Sequence, residues 1–382
     1  ELKVVEKVEY KIEPDEIINI DLEKIFESAI GQVVIVQLTS NKIKYKHAGN
    51  DGHLRFWGNY TQNNNLTISV VHSMPMSYND LFLKKYRYSR NYNFNNDGDQ
   101  FSTKNFFTSG INLIKGNEND QKVFYGYNVV NDQDGNPLSV WHLSPVNKNK
   151  NKIEILQSAY CPKISGLNPY LILDSIETGI IKNHVKFYIV RGNVIEETEE
   201  LSTKDLFKKR VSDIFKKKIE PGYSIFMKFQ SMGLSHSHIH YAINEKICDQ
   251  VHMHESNWAT VKNKLKPLDN QKKNNCRKFF YFDFNDSNQK NLVVVHNEKI
   301  KDKTINTIKL RLLSRNGYEK IKTVKFSAEN PILTININDL FETNEIRNGI
   351  IQIESFDYNF HASGLIINTK FNTIAVDHFT GG

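Results

Sequence analysis

The sequence predicts an all-β protein made of two or three repeated antiparallel units, sandwich-like or jelly-roll-like, with one or two short helices. Three observations support this. Short β-branched runs bounded by Asn, Asp, Gly or Ser recur along the 382 residues, helical periodicity is scarce, and one pattern of segments returns three times.

The runs at 33–38, 66–71, 185–190, 292–295, 307–313 and 349–353 are rich in Val, Ile and Thr and short enough to be strands. The clearest helical pattern spans 204–218, where Phe207, Val211, Ile214 and Phe215 fall on one face behind Ser202, and Asp205 completes an approximate capping box.

The repeated pattern sets Leu and Phe ahead of a Gly, an apolar strand and a Ser. Its copies are Leu22, Phe26, Gly31, 33–38 and Ser40; then Leu206, Phe207, Gly222, 225–229 and Ser231; then Leu340, Phe341, Gly349, 350–353 and Ser355. Each copy runs into an Asn, a polar turn and a strand stopping at a histidine. From Asn244 to His254 is ten residues, from Asn368 to His378 is ten, and from Asn59 to His72 is thirteen. Two further hairpins, Asn131 to His142 and Asn285 to His296, are expected to share the ending with a spacing of eleven. A polar turn that reverses a strand with one apolar face requires a second sheet to cover that face. The expected units are 1–100, closed by a Tyr- and Asn-rich linker at 86–99; 101–261, holding a histidine-rich hairpin; and 276–382, after the Lys/Asn-rich stretch 262–275. The low-complexity run 147–152 is expected to be an exposed loop.

Composition narrows the function classes. A hydrophobic content of 39% with 11% aromatics excludes global disorder. Lys and Arg exceed Asp and Glu by 50 to 43, without the dense basic stripe of a dedicated nucleic-acid binder. Cys161, Cys248 and Cys276 are odd in number and widely spaced, which argues against a disulfide framework and favours a cytoplasmic setting. No run approaches the roughly 18 apolar residues of a membrane span. The residues from Glu1 onward do not form a signal peptide, and a start at Glu indicates a processed or trimmed chain, expected to be soluble. Phosphate-loop, dinucleotide-binding and nucleophile-elbow motifs are absent from the sequence.

The sharpest constellation is 235–255. On a strand, His236, His238 and His240 share one face, and a three-residue turn that sets Ile243 opposite Ile247 brings His238 opposite His252 and His236 opposite His254. Opposed Cβ atoms lie about 5 Å apart, so His236, His238, His252 and His254 are candidate ligands for Zn or non-haem Fe, with Glu255 as candidate general base. His238, His240 and Glu245 together resemble the first half of the cupin metal motif; the second half does not follow, and the turn sets Glu245 away from the histidines. A structural role competes: a strand-end histidine can fix a hairpin by donating its ring proton to a loop carbonyl. A third arrangement brings His72, His254 and His378 together about a pseudo-threefold axis. Trp57 and Trp258 beside hairpin strands, with His72 and His378 at strand ends, are candidate ligand-binding residues for a carbohydrate or protein partner. The sequence thus favours a non-catalytic ligand-binding or assembly protein over a metal-dependent enzyme.

Overall fold

The computed structural model describes residues 7–11, 20–26, 57–62, 66–72, 86–92, 107–116, 124–131, 137–143, 148–162, 169–174, 184–202, 211–233, 238–243, 246–256, 258–267, 276–282, 288–297, 306–313, 319–326, 331–342, 345, 349–355 and 360–379. Mostly antiparallel β-strand, they include two four-residue helices, α1 (Leu22–Ile25) and α2 (Val211–Ile214). The longer helix expected over 204–218 is cut short at its C-terminal end. There the carboxylate of Glu197 accepts the backbone N–H groups of Lys216 (2.7 Å) and Lys217 (2.8 Å), a competing partner for the donors a helix would use. The expected strand at 33–38 lies outside the described residues.

The first region contributes a hairpin, β1 (Trp57–Gln62) and β2 (Leu66–His72), and a meander of β3 (Tyr86–Tyr92), β4 (Phe107–Gly116), β5 (Phe124–Asn131) and β6 (Pro137–Leu143). Part of the expected linker is therefore strand, because the residues of β3 find a continuous ladder on β4. Next come β7 (Lys148–Tyr160), β8 (Pro169–Asp174), β9 (His184–Arg191), β10 (Val194–Ser202), β11 (Ser224–Gly233), β12 (His238–Ile243), β13 (Lys246–His252), β14 (His254–Glu255), β15 (Trp258–Val261) and β16 (Lys264–Pro267). The Lys/Asn run expected to be a loop opens β7, where Lys148 pairs with Gly233 of β11. The last region holds β17 (Cys276–Phe282), β18 (Gln289–Asn297), β19 (Asn306–Leu313), β20 (Glu319–Phe326), β21 (Ile332–Asn336), β22 (Gly349–Ser355), β23 (Phe360–Asn368) and β24 (Thr373–His378).

The strand orders of the middle and last regions correspond. In the middle region β7-β11-β9-β10 run side by side in one sheet and β8-β12-β13 in another; in the last, β17-β22-β19-β20 form one sheet and β18-β23-β24 lie consecutively in the other. In each region the first strand pairs with the fifth or sixth and not with its successor, so the segment ending at His296 is a crossover between sheets and not a hairpin. The middle sheet carries an addition. Its order continues through β16 and β15 at one end and begins with β14 at the other, although β14 and β15 are only two residues apart in sequence. A sheet whose two ends are so joined must curl, and the curl encloses a small cluster of Leu156, Tyr188, Val190, Phe226, Trp258 and Leu265.

Two larger clusters bind the layers. Phe280, Phe282, Leu310, Leu312, Ile351 and Ile353 meet Val293, Val295, Ala362 and Ile366 in one. The other joins Phe187, Ile189, Ile225, Met227, Ile239 and Val251 to Leu292, Val294, Leu365 and Val376. Along β18, alternate residues therefore face different clusters and the sheet is buried on both faces, which explains its unbroken apolar run. The second cluster draws residues from both sides of 262–275.

Gly364 marks a close approach between layers. A Cβ built there would stand 2.6 Å from Cδ1, Cε1 and Cζ of Phe280, so an aromatic ring occupies the space a side chain would need. Gly364→Ala is expected to destabilise the protein by about 1–3 kcal/mol, read as a lower urea midpoint with an unchanged m-value.

Candidate functional site

Three ladders bring a group of imidazoles together. Pairing of β18 with β23 sets His296 opposite His361, pairing of β23 with β24 sets Ser363 opposite His378, and pairing of β14 with β7 sets His254 opposite Ser158. His254 stands at the centre. Its ring centroid lies 4.3 Å from that of His296 (interplanar 37°), 5.3 Å from that of His361 (28°, stacked) and 6.4 Å from that of His378 (90°, edge-on). His254 and His296 are each only 3% exposed.

Buried imidazole nitrogens need partners, and serines of the flanking strands supply two of them, His296 Nδ1 and His254 Nε2. Ser158 Oγ lies 3.0 Å from His296 Nδ1, 3.1 Å from Ser256 Oγ and 3.4 Å from the His254 carbonyl. A hydroxyl has one proton to give. If it goes to the carbonyl, the Nδ1–H of a neutral His296 and the hydroxyl of Ser256 both donate to Ser158. His254 Nε2 lies 2.5 Å from Ser363 Oγ, and Lys278 Nζ stands 3.4 Å from His361 Nδ1. His378 Nδ1 is 3.5 Å from Asp377 Oδ1, which also accepts the His378 backbone N–H at 2.6 Å. Burial, reinforced by the charge of neighbouring His361, lowers the His296 pKa to about 3. A second buried polar link lies between sheets: Asp249 of β13, fully buried, accepts the backbone N–H of Val376 in β24 at 2.7 Å.

Chemically this is a joint of imidazole rings in stacked, tilted and edge-on contact. Stacking turns imidazole edges toward separate partners, whereas metal ligation aims them at one point. Among the described residues no group of three or more His, Cys, Asp or Glu is arranged to hold a metal ion. Ser158, 1% exposed and engaged on three sides, is closed to a substrate.

The residues singled out from sequence distribute as follows. His238 pairs with His252, but by a different route from the one expected: Ile243 pairs with Lys246 across two intervening residues, and a register shift between Tyr241 and Ala242 restores the opposition. His236 lies outside the described residues, as do the side chains of His238, His252 and Glu255; Glu255 pairs with Gln157 on β7. Trp57 stands opposite His72 in the β1–β2 ladder. Trp258 is enclosed with Leu156 and Phe226 at 4% exposure and offers no open face to a sugar ring. His254 and His378 come together in the joint, and β2, which ends at His72, packs against both β13 and β24. His361, Ser158, Ser363 and Lys278 carried no sequence signal of their own, because ladders and contacts between sheets join distant positions, Ser158 and His296 being 138 residues apart. The expectation that strand-end histidines bond loop carbonyls gives way at His296 to a serine hydroxyl in another sheet.

No protein-family model matches the chain, and no curated protein sequence does. Among solved structures, the full-length major pilin RrgB from Streptococcus pneumoniae aligns with 67% of this chain at 10% identity and a TM-score of 0.12, a likeness that carries no argument. The chain spans about half of that pilin, 49% of its length. Among the described residues no helix is long and apolar enough to cross a membrane.

Proposed function

We propose that this chain is a non-catalytic binding or assembly protein whose body repeats one two-sheet sandwich unit, at 148–252 and again at 276–378, with the imidazole joint serving as polar glue between layers. The observation that carries this reading is the matching strand order, seven strands in the same sequence-to-space relation in both regions. Repeated units displaying their ends and edges suit recognition of a partner better than conversion of a substrate. For a carbohydrate or protein ligand, the end of β1–β2 where Trp57 opposes His72, beside β24 with His378, is the surface this reading assigns.

The test is a glycan-array and metal-content comparison on untagged protein. Glycan binding lost in Trp57→Ala, with less than stoichiometric metal and a melting temperature unchanged by EDTA, is the expected result. About one Zn or Fe per chain, removed by His252→Ala, would instead establish the metal-dependent enzyme and overturn the proposal.

A further inference from the structure

The two corresponding hairpins carry opposite charge. β10 contains Glu196, Glu197, Glu199 and Glu200 and no Lys or Arg, while β20 contains Lys320, Lys322 and Lys325 against the single Glu319. The imbalance around β20 is large for its size: residues 299–326 hold nine Lys or Arg and two Asp or Glu, an excess of seven that equals the excess of the whole chain, 50 against 43. Among the described residues both strands present an open edge. β20 ends its sheet, and β10 meets β16 through the single pair Val194–Lys264, so that beyond Ile195 no further strand pairs on that side among the described residues.

On β10, Glu196 and Glu197 are engaged locally, the first with Lys217 and Arg191 and the second with the backbone of Lys216 and Lys217. Glu199 and the exposed Glu200 lie further along the strand, Glu200 with Lys186 at 3.6 Å across the ladder. On β20, Lys320 is held locally by Glu345 at 2.6 Å and Glu319 by Arg311 at 2.9 Å, while Lys322 is half-buried and Lys325 is exposed beside the exposed Ile321 (48%) and Thr323; Lys309 is exposed on the adjoining β19. Lysines on an edge strand ordinarily serve to block edge-to-edge pairing. That role accounts for β20 meeting β20, where like charges repel, and equally for β10 meeting β10. It does not account for β20 meeting β10, where charges of opposite sign line two open edges.

Resting on the assembly reading above, we infer that this chain binds a second copy of itself head to tail, with β20 of one copy alongside β10 of the next. Each copy retains one free edge of each sign, so the contact is heterologous and adds copies in series. Individual surface ion pairs are weak and screened by salt, so association is weak and strongly dependent on salt.

Sedimentation equilibrium of the full chain tests this. In about 20 mM salt the mean mass should climb past that of a dimer with concentration, and in about 500 mM salt it should fall to the monomer as screening shortens. The double variants K322E/K325E and E199K/E200K should each remain monomeric at low salt, with circular dichroism confirming their fold. An equimolar mixture of the two should associate again, because each then offers the edge the other lacks. A wild-type chain monomeric at low salt, association indifferent to either reversal, or a mixture that fails to recover it would overturn the inference. A monomer that binds glycan and carries no metal would sink this inference while leaving the proposed function standing.

Discussion

Acidification from pH 7.5 to 5 is expected to lower the free energy of unfolding by about 2 kcal/mol through His296 alone, since below the unfolded pKa each pH unit corresponds to about 1.4 kcal/mol. The direction follows from proton uptake. His296 is held down to about 3 by burial and by His361, whereas in the unfolded chain it titrates near the ordinary imidazole value of 6.5. Between these values the unfolded chain binds a proton that the folded chain refuses. The stabilisation is therefore complete above about 6.5 and is lost progressively as pH falls toward 3. Urea titrations at several pH values would show it. His296→Gln should be less stable at neutral pH yet lose less on acidification, and parallel pH slopes for wild type and variant would refute the assignment.

The largest single-site effect is expected at Phe280. Fully buried between layers and in ring contact with Phe282 at 4.6 Å and Phe379 at 5.2 Å, it should cost about 3–5 kcal/mol when truncated to Ala, from lost burial and the cavity left behind. Its contact with Gly364 makes the two sites interdependent. Gly364→Ala, harmful while the ring is present, should be nearly neutral in the Phe280→Ala background because the methyl group enters vacated space. A double-mutant cycle should give a coupling of about 1–2 kcal/mol; strict additivity would show that ring and glycine do not meet as described.

Much of the fold was legible in short apolar runs. Those at 66–71, 185–190, 292–295, 307–313 and 349–353 fall within β2, β9, β18, β19 and β22, since β-branched residues favour extended backbone. The runs at 86–92 and 148–152 were not legible because Tyr-, Arg-, Asn- and Lys-rich segments become strands when a neighbour offers a ladder, and ladders join distant positions. Likewise the count from Asn to histidine pointed to His254 and His378, but nothing local reveals His361. It becomes part of the joint through β18, whose His296 precedes it by 65 residues. The opposition of His238 and His252 was anticipated with a longer turn than the two-residue gap plus bulge that produces it, an error of spacing compensated within the same hairpin.

The proposed repeat sets one strand order at both 148–252 and 276–378. Amide–amide nuclear Overhauser effects in a deuterated sample test it most directly. Cross-peaks should connect β11 to both β7 and β9, and β22 to both β17 and β19, while β17 shows none to β18 and β7 none to β8. Cross-peaks joining β17 to β18 as neighbouring strands, with β22 paired elsewhere, would contradict it.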